Sequence, residues 1–415
     1  MRTELLIRPG PNDHHVIADL VAPGGAAVLL PSDRALISRL VVEAHIAAQR
    51  PQMADAGATA GIPVLIDPLT ILWQGQLRPE DKWAALPFGQ ADRLEPADFG
   101  DELRRERMVE AVVEFQVAHG ASVVIPPYTY ASGPGDAWFD RGIDLLRATA
   151  RYMRRNGIRL PVVPVLAGQL QTFSDPRQLR AGIDRFIEAS INVGPQAIAF
   201  CMSPTGGAND SYAKILRIFE VVDRLQRAGA PVLALRQGIY GPALAAAGVS
   251  GYETGIATRE TCDLARSIVS RRPPTPGAKR RSGGAALRIY LEPLKRSVPA
   301  KLALSLLGDR SMRPRVMCDD ERCCPNGVND TIDKRREHAI RARAKQLAAL
   351  DAQPHQAWRL HQVAKDARVA ADLVHQINRF SRASGLPLQL NPRAMEELAR
   401  VADYVREVRE SRAAA

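Results

Sequence analysis

Short apolar runs alternate with amphipathic segments through the middle of this chain of 415 residues, and this alternation constrains the fold more than any other feature. Strand-like runs lie at 122–125, 162–166, 197–202, 232–235 and 251–255. Each is followed by a segment in which apolar residues recur at helical spacing. Continuously apolar strands that alternate with amphipathic helices are typical of a parallel sheet covered on both faces.

The same pattern continues toward both ends of the chain. Further strands are predicted at 26–30, 63–68 and 287–291, and the run Glu4–Arg8 is interpreted as a leading strand. Counted from Ala26, eight strands fit within 300 residues, which favours a (β/α)8 barrel; an open doubly wound sheet is the alternative. Helices are predicted at 34–49, 102–119, 137–156, 175–191, 210–228, 241–247 and 258–271.

Three regions are predicted: the barrel at 1–300, a Cys/His segment at 301–350 and a helical extension at 351–415. Pro354 and the stretch 385–392 divide the helical tail, which runs from Asp333 to Ala415, into three predicted helices. No apolar run reaches the roughly 18 residues that a membrane span needs. The first residues lack the pattern of a secretion signal, so we expect a cytoplasmic location and no membrane partner.

The chain is strongly basic, with a formal net charge of +11 and an isoelectric point near 9.7. A basic chain of this size is a candidate for binding a polyanion such as nucleic acid. An Arg-rich and Ala-rich composition is also common in proteins from GC-rich genomes, where a high isoelectric point carries less meaning. The basic residues nevertheless cluster, and the predicted phosphate contacts are Lys279, Arg280, Arg281, Arg335 and Arg336.

In a barrel, the carboxyl ends of the strands form the rim that carries the active site. Reading the residues at the predicted strand ends therefore gives candidate site residues: Ser32, Asp67, Tyr128, Gln169, Ser203, Arg236, Gln237, Glu253 and Glu292. Two carboxylates on one rim suit chemistry at a sugar anomeric carbon, where one attacks and the other manages the proton of the leaving group. A Gln side chain can bind both a donor and an acceptor edge of a planar base.

Three of the five cysteines, Cys318, Cys323 and Cys324, lie close together after the predicted barrel. In a cytosolic chain such a group indicates a metal site more than disulfides, and free thiols in a turn are the alternative. His338 follows on the next predicted helix and would complete a set of four ligands.

The order of these features resembles the tRNA-guanine transglycosylase superfamily, including its relatives that insert 7-deazaguanine bases into DNA. In that family an Asp nucleophile precedes an Arg by six residues in a segment that ends Pro-Thr-Arg, and here Glu253 precedes Thr258-Arg259 at the same spacing. The family's acid/base Asp ends an early strand, as Asp67 does after Val64-Leu65-Ile66, and its base-binding Gln follows a middle strand, as Gln169 does.

The resemblance implies a (β/α)8 barrel with a structural zinc and an enzyme that exchanges a guanine-type base in tRNA or DNA. Glu253 would be the nucleophile and Asp67 the proton-transfer group. Gln169, Tyr128, Arg236, Gln237 and Ser203 would bind the base, and Cys318, Cys323, Cys324 and His338 would bind zinc. A homodimer is compatible with this assignment.

The sequence departs from the family pattern at three places. Asp67 is followed by Pro68-Leu69-Thr70 where the family has Ser-Gly-Gly, and Glu253 replaces an Asp. The cysteine spacing also differs, because Cys323 and Cys324 are adjacent. Two other hypotheses therefore stay open. One is a barrel enzyme that acts on a small metabolite, and the other is a non-catalytic relative that binds nucleic acid or protein.

Overall fold

The computed structural model describes residues 2–21, 35–78, 80–171, 175–271, 287–387 and 389–414. An eight-stranded parallel sheet lies at its centre, in the order β3-β2-β1-β8-β7-β6-β5-β4. Its strands are β1 (Glu4–Arg8), β2 (Arg39–Glu43), β3 (Val64–Asp67), β4 (Tyr130–Ala131), β5 (Val165–Gln169), β6 (Ile198–Ser203), β7 (Val232–Ala234) and β8 (Gly251–Gly255). A separate antiparallel hairpin comprises β9 (Arg288–Leu291) and β10 (Arg296–Pro299).

The helices follow the strands in sequence. Those around the sheet are α1 (His14–Val21), α2 (Ala44–Gln49), α3 (Gln52–Thr59), α4 (Glu102–Ala118), α5 (Ala137–Arg155), α6 (Pro176–Ile191), α7 (Tyr212–Leu225), α8 (Gly241–Ala246) and α9 (Leu264–Val269). The helices that follow the hairpin are α10 (Ala300–Gly308), α11 (Arg313–Val316), α12 (Val328–Asp333), α13 (Arg335–Asp351), α14 (Gln356–Ala383) and α15 (Arg393–Ala414).

The segment 122–125 closes the sheet into a ring. Val123 forms a parallel bridge with Leu65 of β3, and Val124 forms one with Val162, just before β5. On the other side of the ring, β1 pairs with β8 along its whole length. The fold is therefore the predicted (β/α)8 barrel, whose carboxyl rim is formed by strands from both halves of the chain.

The count of eight barrel strands starting at Ala26 assigns the wrong segments to the barrel at both ends. The run Glu4–Arg8 is the first barrel strand rather than a leading addition, and 39–43 is the second strand although a helix was predicted over 34–49. The predicted last strand at 287–291 belongs to the β9–β10 hairpin outside the ring. The predicted strand 26–30 and Ser32 lie outside the described residues.

The physical reason for the missed strand is visible in the packing of β2. Leu40, Val41 and Val42 are all fully buried between β1 and β3, and two of these three residues are β-branched. A β-branched side chain fits a pleated strand better than a helix. Tertiary pairing therefore decides a segment whose apolar spacing also suits a helix.

The helices α4 to α8 form close to the predicted positions, whereas α1 and α3 were not predicted. Asp175 caps α6, because its side chain accepts a hydrogen bond from the backbone N–H of Arg177. The exception is α9, which begins at Leu264 instead of Thr258. Residues 256–263 form a loop over the rim of the barrel, and the side chain of Asp263 caps the helix that follows.

The C-terminal region packs directly on the barrel. The three helices predicted over 333–415 are present as α13, α14 and α15, and they share the main hydrophobic core with the barrel helices. A second core lies between the β9–β10 hairpin, α10, α11 and α14. None of the described helices combines the length and the apolar character that a membrane span requires.

Candidate active site

Three carboxylates and one guanidinium meet at the carboxyl ends of β1, β2, β3 and β8. Arg8, the last residue of β1, binds both carboxylate oxygens of Glu253, with Nη2 to Oε2 at 2.8 Å. The same Nη2 lies 2.8 Å from Oδ2 of Asp67, and Nη1 lies 3.5 Å from Oε1 of Glu43. Asp67 and Glu253, which are far apart in the sequence, therefore share one partner at the same mouth of the ring.

The charges at this centre stabilise one another away from water. Burial alone would lower the pKa of Arg8, but Glu253, Asp67 and Glu43 outweigh it and raise this pKa well above its usual value. The side chains of Arg8, Asp67 and Glu253 are at most 1% exposed. A guanidinium that stays charged in such surroundings holds three carboxylates in place at the centre of the mouth.

Glu43, which the sequence analysis did not identify, is the carboxylate that faces the open part of the mouth. It pairs with Arg236 at 3.1 Å and with Arg259 at 3.0 Å. Burial alone would raise the pKa of Glu43, but Arg259, Arg236 and Arg8 together hold it well below its usual range. Glu43 is therefore ionised at neutral pH and can stabilise positive charge that develops on a bound substrate.

Asp67 is held by hydrogen bonds in addition to its ion pairs. Its Oδ1 accepts from the Tyr128 hydroxyl at 2.8 Å and from the backbone N–H of Leu69 at 2.9 Å. Burial and the neighbouring Asp67 carboxylate raise the pKa of Tyr128 well above its usual value, so its hydroxyl remains a donor. Both oxygens of Asp67 are therefore engaged by protein groups, as Oδ2 faces Arg8 and Arg236.

A cavity of about 580 Å³ opens above this centre. Glu43 and Arg236 lie at its base, while Asp67 and Glu253 lie beneath them and do not line it. Its wall is cationic, since five basic side chains line it against two carboxylates, Glu43 and Asp263. The basic residues are Lys214, Arg236, Arg259, Arg266 and Arg271.

Four non-glycine residues at the rim have a left-handed backbone. They are Leu69 (φ 50°), Arg236 (57°), Ala257 (57°) and Arg259 (59°). Such conformations cost of order 1–3 kcal/mol each and cluster at functional sites. Gly255 starts the loop that carries two of them, and a Cβ added there would lie 1.9 Å from the Thr258 carbonyl oxygen. Only glycine permits this tight return of the chain.

The other predicted rim residues differ in how they are used. Gln237 is buried, and its amide accepts from the Thr205 hydroxyl and donates to the Met202 carbonyl. Ser203 is also buried, and its hydroxyl accepts from the N–H of Leu264. Both therefore hold neighbouring loops in this structure, whereas Arg236 lines the cavity and Gln169 is partly exposed at the end of β5. Glu292 follows β9 in the hairpin and does not lie on the barrel rim, which corrects that prediction.

The predicted metal ligands do converge. One ligand atom each from Cys318, Cys323, Cys324 and His338 lies within 4.8 Å of the other three. The Sγ atoms of Cys323 and Cys324 are 3.8 Å apart, which matches the separation of about 3.8 Å expected for two thiolates of a tetrahedral zinc. This Cys3His cluster has the geometry of a site that could hold a metal ion.

The orientation of His338 also suits a ligand. Its Nδ1 lies 3.3 Å from Sγ of Cys323 and 3.4 Å from Sγ of Cys324. Its Nε2 lies 3.1 Å from the carbonyl oxygen of Tyr290 in β9. Donation from Nε2 to that carbonyl leaves the Nδ1 lone pair for a metal, as is usual for ligating histidines.

The predicted phosphate contacts are only partly described. Lys279, Arg280 and Arg281 lie outside the described residues. Arg336 pairs with Asp13 and donates to the carbonyl of Asn12, and Arg335 donates to the carbonyl of Ile332. Both arginines are therefore engaged at the start of α13, and neither lines the cavity described above.

Sequence reasoning missed Arg8 and Glu43. Arg8 ends a run that was predicted as a strand but was not included in the ring. The signal for Glu43 is the run Leu40-Val41-Val42 ended by an acid, which repeats the pattern of Val64–Asp67. Assigning both runs to the barrel would have placed these residues at the mouth.

Comparison with known proteins gives little beyond the architecture. No protein-family model and no curated protein matches the chain. A phosphonomutase described as putative, from Burkholderia cenocepacia J2315, is 16% identical, with 61% of this chain and 88% of that chain covered and a TM-score of 0.34.

Two further solved structures are also similar. The carboxyl transferase domain of Rhizobium etli pyruvate carboxylase is 12% identical, with 98% of this chain and 61% of that one covered and a TM-score of 0.37. The 3-deoxy-D-arabino-heptulosonate 7-phosphate synthase of Thermotoga maritima is 12% identical, with 65% and 84% covered and a TM-score of 0.33. None of these three is a transglycosylase, and likeness at this level carries no argument about activity.

Proposed function

We propose that this protein exchanges a guanine-type base in tRNA or DNA through a covalent bond between a carboxylate of the barrel mouth and the sugar. The observation that carries the proposal is the convergence of Glu43, Asp67 and Glu253 around Arg8. Anionic groups at this position suit the carbocation-like transition state at an anomeric carbon. The match of Glu253 and Arg259 to the family's nucleophile segment supports the same reaction.

In the proposed reaction, a carboxylate oxygen of Glu253 forms a bond with C1′ as the bond from C1′ to the base breaks. The electron pair of that bond goes to the leaving base, which takes a proton from water. The incoming base then loses its ring N–H proton, forms the new bond to C1′, and returns the electron pair of the ester to Glu253. A target base in a duplex or a stacked loop would have to flip out to reach the site.

Glu253 is fully buried in this structure, so Arg8 would have to release it when the substrate binds. Arg8 can release Glu253 because it also contacts two other carboxylates: it can stay paired with Asp67 and move closer to Glu43. The guanidinium is then never buried without a carboxylate partner, a state that would be energetically costly. Asp67 would keep Arg8 in place during this exchange.

The Cys3His cluster fits a structural zinc in this proposal. Cys318, Cys323, Cys324 and His338 would hold the ion, and the ion would link the turn 318–324 to α13, where His338 contacts the Tyr290 carbonyl of β9. The residues of the cluster take no part in bond exchange.

The test is the capture of a denaturant-resistant adduct between the protein and a labelled tRNA or DNA oligonucleotide, followed by mapping of the modified peptide. The wild type should give an adduct on the peptide that contains Glu253, and Glu253→Gln should give none. An adduct on the Glu43 peptide would keep the reaction class but move the nucleophile. Full base exchange by Glu253→Gln without an adduct on either peptide would refute the covalent route.

The second candidate is a barrel enzyme that acts on a small anionic metabolite. The cationic wall of the cavity favours it, because five basic residues line a volume suited to one small molecule. Salt dependence separates the two candidates. If basic residues of the protein neutralise several phosphates of a nucleic acid, the affinity should fall steeply between 50 and 200 mM salt. The affinity should fall by about one decade per decade of salt concentration for each phosphate neutralised. Binding of a small anion should depend on salt far less.

A further inference from the structure

A second cavity lies between the barrel helices α6 and α7 and the C-terminal helix α15. Its volume is about 240 Å³, and none of the residues that line it also lines the cavity above Arg8. Val405, Val408 and Arg412 of α15 follow one another at helical spacing, so one face of that helix points into the cavity. The cavity is therefore a site of its own, away from the mouth of the barrel.

This cavity has an apolar floor and a basic rim. Leu179, Phe219 and Val405 are buried and form the floor. Two of the basic side chains at the rim, Arg227 and Arg412, are 60% and 66% exposed, so a ligand in solution can reach them. The arginines that line the cavity are Arg180, Arg224, Arg227, Arg409 and Arg412.

Two of the charged residues that line the cavity are balanced by partners behind it. Arg224 pairs with Asp184 of α6, and Glu220 pairs with Arg217, one turn earlier on α7. These two pairs add no net charge to the cavity. The other lining residues decide its charge.

The remaining arginines outnumber the remaining carboxylate. Asp223 lies 3.7 Å from Arg227 and 3.9 Å from Arg412, so two guanidiniums share it. In the described part of the chain, neither Arg180 nor Arg409 forms an ion pair with a carboxylate. Four guanidiniums therefore face one carboxylate, which leaves three positive charges at the cavity without a partner.

Arg409 is the residue that this imbalance affects most. Burial lowers the pKa of Arg409, Asp223 offsets this only in part, and the neighbouring Arg412 lowers it further. Its Nη1 donates a hydrogen bond to the carbonyl oxygen of Ala247 at 3.0 Å, which fixes its position without neutralising its charge. An anion bound in the cavity would supply the missing negative charge.

We propose that this cavity binds a small organic phosphate, with the phosphate group at the arginine rim and the apolar part of the ligand on the floor. Guanidinium groups match phosphate oxygens through paired hydrogen bonds. A phosphate monoester carries about 1.5–2 negative charges at neutral pH, so it balances the unpartnered arginines better than a single carboxylate would. The cavity is also smaller than the roughly 300–1,000 Å³ of sites for drug-sized ligands, which favours a small ligand.

The proposal goes beyond the function proposed for the barrel mouth and does not depend on it. A phosphate bound here would contact α6, α7 and α15 together, because arginines of all three segments line the cavity. Binding would therefore hold the C-terminal helix against the barrel. Base exchange at the mouth needs none of these residues.

The experiment is a titration with phenyl phosphate in a phosphate-free buffer, followed by NMR of the valine methyl groups. The signals of Val405 and Val408 should shift and saturate, which gives a Kd for this cavity even if the probe also binds at the mouth. That Kd should rise at least about tenfold in Arg180→Gln and in Arg409→Gln, since each loses a charged donor to the phosphate. Arg155→Gln, at an exposed position of α5, is the control and should keep the wild-type Kd.

Two further probes test the two parts of the proposed ligand. Inorganic phosphate should bind more weakly than phenyl phosphate, because it cannot use the apolar floor, and equal Kd values would overturn that part of the proposal. A single-stranded DNA oligonucleotide without a terminal phosphate supplies the other source of phosphate. If it shifts the same methyl signals at a lower concentration than phenyl phosphate does, the assignment to a small ligand is wrong.

The proposal as a whole is overturned if millimolar phenyl phosphate leaves the Val405 and Val408 signals in place. It is also overturned if Arg180→Gln and the wild type have the same Kd. Arg180 is exposed on α6, so this variant keeps the test decisive even if Arg409→Gln does not fold. Neither measurement uses base exchange, so a failure of the function proposed for the mouth and a failure of this site are seen separately.

Discussion

Arg8 of β1 donates hydrogen bonds to both carboxylate oxygens of Glu253 of β8, where the first and last strands of the barrel pair with each other. Leu6 is the register partner of Glu253, so the guanidinium reaches it from two residues further along the neighbouring strand. The ion pair therefore links the N-terminal strand to the strand that carries the proposed nucleophile. The same ion pair therefore helps to close the barrel and to position the side chains of the site.

Replacement of Arg8 by Met should destabilise the fold strongly. The change leaves Glu253 and Asp67 buried without their shared cation, and breaking a buried pair in this way typically costs about 3–5 kcal/mol. Urea unfolding followed by circular dichroism measures this loss. The control is Arg368→Met, because Arg368 pairs with Asp403 while 53% exposed and should contribute less than about 1 kcal/mol. Equal stability of the two variants would show that the central cluster is not held as described.

The pH dependence of stability should report Glu43. Its pKa is lower in the folded protein than in the unfolded chain, so its contribution to stability is complete above about pH 4.3 and is lost as the pH falls below that value. The free energy of unfolding of Glu43→Gln should therefore fall less between about pH 5 and pH 3 than that of the wild type. Glu407→Gln, at an exposed position, should keep the wild-type slope. Parallel slopes for the wild type and Glu43→Gln would contradict the ionised state of Glu43.

The outcome for the rim shows what sequence patterns can and cannot reveal. Asp67 and Glu253 were predicted because each lies in or at the end of a short apolar run, and strand ends meet at one edge in any parallel barrel. That argument needs only local pattern and topology. It succeeded in bringing two acids separated by 186 positions to one guanidinium, as the shared contacts of Arg8 show.

Glu43 was missed for a different reason. Its segment carries apolar residues at a spacing that satisfies both a helix and a strand, and pairing with β1 and β3 decides between them. Likewise, the engagement of Gln237 with Thr205 depends on a contact between loops that no local pattern encodes. The Cys3His cluster could be predicted because cysteine is rare and clusters in sequence, whereas the contact of His338 with the Tyr290 carbonyl could not.

The conformation of the loop that carries Arg259 should depend on the buried ion pair between Glu260 and Arg343. Glu260 binds Arg343 of α13 and accepts hydrogen bonds from the N–H and hydroxyl of Ser297, at 2.9 and 2.8 Å. Arg343 also lies 4.2 Å over the ring of Tyr290. Glu260→Gln would leave this cation buried without its carboxylate, at a cost of roughly 3 kcal/mol.

The same substitution should loosen the loop 255–260 and move Arg259 away from Glu43. Hydrogen exchange of these amides should therefore rise in Glu260→Gln by more than the global loss of stability explains. Arg343→Lys is the matched variant, because it keeps the charge but loses the planar fork that binds the carboxylate. If amide hydrogen exchange of the loop stays at the wild-type level in both variants, the barrel positions the loop without this ion pair.

Metal binding is the last prediction, and it can be tested without knowing the substrate. Purified protein should contain one zinc per chain, because one ligand atom from each of the three cysteines and His338 lies within 4.8 Å of the others. Cys318→Ser and His338→Ala should each lose the metal and lower the melting temperature, since the ion would link the turn 318–324 to α13, whose His338 contacts the Tyr290 carbonyl of the hairpin. Cys201→Ser, at a buried cysteine of β6 outside the cluster, should keep the zinc even if it costs some stability. A chelator should reproduce the loss in the wild type and leave His338→Ala unchanged. Zinc content that is the same in wild type and His338→Ala would exclude the Cys3His cluster as the site.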